Sequence, residues 1–168
     1  MAHPVIACDP LADGLWGLTG AHVPWRLRVP VPLRTVVAVL PSGELWVHAP
    51  GPLTADLVTW LAEQGRVAHL VRPYGPQLAW LDDWRAAFPA ARVWHGTEMR
   101  SASWARHIKP LILEGAQTEA VFLHQASRSV ILSRLMMAIE TAPLPDTGGE
   151  EDDFDDLPVE VDVRRFRD

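Results

Sequence analysis

Cysteine is almost missing: Cys8 is the only one in 168 residues. An intramolecular disulfide is therefore impossible, and a cysteine-based structural zinc site is excluded. Long apolar runs are missing too. None reaches the ~18 residues of a membrane span, and "SVILSRLMMAI" is cut by Arg134. The stretch "MAHPVIACDPLADG" lacks the basic segment and apolar run of a secretory signal. A soluble, cytoplasmic protein is the resulting expectation. No glycine-rich phosphate cradle occurs, since "PSGELW" reads as a turn. No Gly-x-Ser-x-Gly elbow frames Ser127, Ser129 or Ser133 beside His124, so triad chemistry is not expected.

What is present is unevenly charged. Residues 146–168 hold ten acids and three arginines, while residues 1–145 hold eleven acids and twelve bases. The body is thus nearly neutral and offers no broad basic face for nucleic acid. Acids fill six of the seven positions from Glu150 to Asp156, which reads as a solvated acidic tail. Two segments follow: a domain over 1–145 and a tail over 146–168, whose end, "VEVDVRRFRD", alternates weakly enough to dock as an edge strand. Nearly half the residues are hydrophobic, so the body can bury a core.

Periodicity places the elements. "GLWGLT" and "WRLRVPVPLRTVVAVL" read as strands, with Arg26 and Arg28 facing away from Trp25, Leu27 and Val29. The turn "PSGE" leads into the strand "ELWVHAP". Thr54 caps a helix that carries Asp56 in its first turn and Leu57, Val58 and Leu61 inward; Gly65 stops it. "RVAHLVR" is a buried strand. A second helix runs from Pro76 to before Pro89, with Leu78, Leu81, Trp84 or Arg85, and Phe88 on its inner face. Then come the strand "ARVWHG", a short polar helix around Thr97 to Arg106, and the strand "IKPLILEG". A hairpin, "EAVFLHQASRSVILSRL", turns at Gln125–Arg128, and "RLMMAIE" reads as a final helix. Strands, then βα units, then a hairpin predict a layered α/β or α+β fold.

Seven histidines, at 3, 22, 48, 69, 95, 107 and 124, show no spacing that sets two imidazoles side by side. His48 and His95 each end a predicted strand, where a site could assemble from distant segments. Asp82 and Asp83 are adjacent on a helix and cannot flank one bond. The eight tryptophans, without a basic groove, read as packing.

From about Pro24 to Leu135, two-thirds of the chain, the sequence resembles an uncharacterised family with the metallo-β-lactamase fold. "VPVPLRTVVAVLPSGELWVHAPGPLT", "VAHLVRPY", "DDWRAAFPAARVWHG" and "EAVFLHQASRSVILSRL" follow its blocks in order. The resemblance implies a four-layer αββα sandwich, here incomplete, because the further strand-and-histidine segment that commonly closes the fold does not follow. It also implies that metal ligands would come from loops after the strands. At those positions this chain departs from the pattern. Tyr74 stands for an asparagine, Gln77 and Leu78 for two histidines, and Arg134 for an acid. Leucine has no donor, glutamine offers a neutral amide, and a guanidinium repels a cation. His48, Glu119 and His124 match the family, which does not by itself make them ligands.

The expectation is a degenerate metallo-β-lactamase-like protein without a competent metal site. It would be a non-enzymatic binding or structural protein, with a protein partner attracted by the acidic tail and no cofactor. Its candidate pocket is His48, Tyr74, Gln77, Glu119, His124 and Arg134. The alternative is a hydrolase of a phosphoester or lactone, holding zinc, manganese or iron on His48, His95 and His124. In that case Glu119 would assist, and Tyr74 and Arg134 would position an anionic substrate.

Overall fold

In the computed structural model the described residues are 7–24, 30–72, 78–113 and 119–132. The strand "WRLRV", the loop from Pro73 to Gln77, the helix "RLMMAIE" and the acidic tail lie outside them. The chain divides into two units, Met1–Ala138 and Ile139–Asp168, and every described residue belongs to the first.

Among the described residues, nine strands form two sheets. Ala7–Ala12 (β1), Leu15–Pro24 (β2), Pro30–Val39 (β3), Glu44–His48 (β4), Arg66–Val71 (β5) and Arg92–Trp94 (β6) lie side by side in chain order. The first four strands are antiparallel neighbours; β4, β5 and β6 are parallel. Parallel neighbours need a crossover, and two helices supply it: Ala55–Gln64 (α1) and Leu78–Ala87 (α2). The second sheet is an antiparallel meander of Ile108–Leu113 (β7), Glu119–His124 (β8) and Ser129–Ile131 (β9). Two 3-10 turns, Gly96–Ser101 and Ser103–Arg106, stand where a short helix was expected.

The caps of α1 are as its sequence implies. The Leu57 N–H donates to Thr54 Oγ1 at 3.2 Å, and the Gly65 N–H donates to the Leu61 carbonyl at 3.0 Å. Glycine is required at 65 because a Cβ there would lie 2.5 Å from the Gly43 carbonyl.

Each face of the large sheet buries its own core. Leu45, Val47, Val67 and Leu70 pack with Leu57 and Leu61 of α1 and with Leu81 and Trp84 of α2. Trp46, Val71 and Trp94 pack with Met99 and Trp104 of the 3-10 turns and with Ile108, Ala120 and Phe122 of the small sheet. The described residues therefore make three layers of an α/β fold: helices, a mixed six-stranded sheet, and a three-stranded sheet.

A bulge adjusts the parity of β5. Leu45 opposes Val67, but Trp46 opposes His69, so Ala68 is the extra residue. The insertion keeps both Val67 and Leu70 on the helix side and turns His69 toward the small sheet.

Candidate functional site

His48 ends β4 on the face that meets the small sheet. It is 1% exposed. Its ring stacks on Trp46, with centroids 5.6 Å apart, and meets the edge of Phe122 at 5.3 Å. Burial lowers its pKa to about 3, so the ring is neutral at physiological pH.

The chain that follows His48 is pinned from two sides. Thr35 Oγ1 donates to the Ala49 carbonyl at 2.8 Å and accepts from the Gly51 N–H at 2.9 Å. The Trp84 indole N–H donates to the Gly51 carbonyl at 2.7 Å. All three bonds are buried, and they hold Ala49 at a φ of 53°. This loop after a parallel strand, a usual place for chemistry, is occupied with holding itself in place.

The other expected residues lie elsewhere. His95 follows β6, and its neighbour Trp94 is two strands from His48 through Val71. That separation is about 10 Å at the usual strand spacing. His95 is exposed, and its backbone N–H donates to Glu98 Oε1 at 2.8 Å, closing the first 3-10 turn.

Glu119 and His124 occupy opposite ends of β8, about 17 Å apart for an extended strand. The odd spacing also sends them to opposite faces. His124 shares the inner face with Ala120 and Phe122. The candidate pocket is thus not drawn together around Glu119, and its Tyr74, Gln77 and Arg134 lie outside the described residues. Nor does the strand register bring His48, His95 and His124 into one cluster. Among the described residues, no group of three His, Cys, Asp or Glu side chains could hold a metal ion.

His124 has its own polar surroundings. Its Nδ1 lies 2.7 Å from Ser127 Oγ, whose hydroxyl donates to Ser129 Oγ at 2.8 Å. Which of His124 and Ser127 donates to the other depends on the imidazole tautomer. Burial lowers the His124 pKa. The side chain lines a cavity of about 770 Å³ that also meets Asp13, Trp16, Leu40, Arg106 and His107.

Sequence reasoning missed a second polar line. The Trp94 indole N–H donates to His69 Nδ1 at 3.2 Å, and His69 Nε2 lies 3.5 Å from Glu44 Oε2. Glu44 also pairs with Arg66, and the Arg92 guanidinium sits 3.8 Å above the Trp94 ring centroid. Burial lowers the His69 pKa while the Glu44 charge opposes the shift. The line ties β4, β5 and β6 to one another. Its signal would have been the bulge, which periodicity alone does not reveal.

No family model matches the chain, and no curated protein matches it either. Among solved structures it is similar to a metallo-β-lactamase of Erythrobacter litoralis, crystallised in a mono-zinc form. The two are 12% identical with a TM-score of 0.45, over 73% of this chain and 66% of that one. A likeness at that distance transfers neither metal nor substrate. No described helix is long and apolar enough to cross a membrane.

Proposed function

We propose that this chain is a binding protein on a metallo-β-lactamase-like four-layer sandwich, without a catalytic metal site. The observation that carries the reading is the enclosure of His48. The histidine at the end of β4 stacks on Trp46 against Phe122, and the loop after it is pinned by Thr35 and Trp84. An imidazole whose ring packs in an aromatic core gains its stability from that packing. The replacements at Gln77, Leu78 and Arg134 support the same reading, because each is a poorer cation ligand than the residue the family pattern has there.

The test is metal analysis of protein purified without chelators. Substoichiometric zinc, manganese and iron are expected. Near-stoichiometric metal, lost in His48→Ala or His124→Ala together with hydrolysis of a phosphoester or lactone, would support the hydrolase reading instead.

The acidic segment 146–168 is the proposed attachment for a basic protein surface, through long-range attraction. Deleting it should weaken capture of basic partners in pull-downs; unchanged profiles would reject that role.

A further inference from the structure

The two 3-10 turns are anchored by Met99, Ala102 and Trp104, all buried in the inter-sheet core. That anchoring leaves Arg100, Ser101 and Arg106 on the outside. The next strand adds Lys109, exposed because Ile108 takes the inner position beside His124 in the β7–β8 ladder.

These side chains converge. Arg100, Ser101, Arg106, Lys109 and Gln125 line one cavity of about 560 Å³. No carboxylate is among the described residues that line it. Three of the body's twelve bases thus stand on one wall.

Arg106 is also set in orientation. Its Nε–H donates to His107 Nε2 at 3.0 Å, which leaves the terminal nitrogens as the edge suited to a bidentate oxyanion. Among the described residues Arg106 makes no ion pair. Arg106 and Gln125 line the larger His124 cavity as well, so the two cavities meet there. The larger one offers Leu40 and Pro41 as apolar wall, and His107, His124 and Asp13 as hydrogen-bonding groups. Its volume of about 770 Å³ falls in the range of small-molecule sites.

We propose that this groove binds a phosphorylated small molecule. Its phosphate lies against Arg100, Arg106 and Lys109, and its organic body lies in the cavity beside Leu40 and His124. The groove would serve whether or not the chain catalyses a reaction, so its fate is separate from that of the metal-free reading.

Lys109 is the only lysine in the chain, which gives a reporter inside the groove. Reductive methylation with ¹³C-formaldehyde keeps its charge and places labelled methyl groups there. The full chain is titrated with inorganic phosphate and with phenyl phosphate, at constant ionic strength set by chloride. The Lys109 methyl signal is expected to shift saturably with both, and phenyl phosphate should bind at least threefold tighter. Arg106→Ala should weaken both at least tenfold, with an unchanged far-ultraviolet circular dichroism spectrum because the side chain is exposed. A linear, unsaturable shift, or equal affinity in Arg106→Ala, overturns the site. Equal affinity for the two probes overturns the placement of the organic body. Saturable binding of a single-stranded oligonucleotide, with none of phenyl phosphate, overturns the ligand class.

Discussion

β4 and β8 each end in a histidine on the inner face of the sandwich, and the two live differently. His48 is enclosed by Trp46 and Phe122, and the backbone after it is held by Thr35 and Trp84. His124 is hydrogen-bonded to Ser127 and lines a cavity whose wall continues to Arg106 and His107. The difference follows from what the next residues do. After His48 they are small and rigid, Ala-Pro-Gly-Pro, and dock against a tryptophan. After His124 they form a polar turn, Gln125–Arg128, that reaches solvent. A histidine at a strand end is thus no guide to chemistry until the neighbours of its ring are known.

The sharpest way to break the comparison is to unpin the loop after β4. Trp84→Ala removes a fully buried ring and its bond to Gly51, and should cost about 3–5 kcal/mol in urea denaturation. In the same series Thr35→Val leaves two buried backbone groups without their hydroxyl partner, and should cost about 1–3 kcal/mol. If either variant unfolds like wild type, the loop is not held as described.

An effect of similar size comes from pH. His48, His69 and His124 all have lowered pKa values in the folded chain, chiefly from burial. A lowered histidine pKa means that the unfolded chain takes up protons first. The associated stability is present above the ordinary value of 6.5 and lost as pH falls toward the folded value, about 3 for His48. For His48 the full loss is on the order of 5 kcal/mol. His48→Leu should flatten the fall in stability between pH 6.5 and pH 4 relative to wild type. Parallel curves for the two proteins would contradict the enclosure.

Much of the fold was legible in the sequence. Thr54 and Gly65 marked both ends of α1 because capping is local chemistry. The β8–β9 hairpin, with its turn at Gln125–Arg128, followed from apolar runs around a polar break. Three features were not legible, each for a physical reason. β1 includes Cys-Asp-Pro, which looks like a loop, and a strand at the end of the sheet order tolerates Pro10. The bulge at Ala68 changes the parity of β5 without changing its hydrophobicity. The 3-10 turns took the place of a helix because Met99, Ala102 and Trp104 must all reach one core from a short segment. The candidate site was less legible still. His48 and His124 were named, but their company is set by how one sheet packs on the other. The Arg106 groove depends on two turns and a strand that no periodicity links.

His48 belongs to the core, whereas His124 belongs to a polar cavity. Imidazole ¹⁵N chemical shifts distinguish the two, with His48→Leu and His124→Gln used to assign the signals. The His48 ring should stay neutral from pH 7 to pH 5 and should not respond to one equivalent of zinc. His48 and His124 shifting together on zinc addition would show instead that the two rings share a metal.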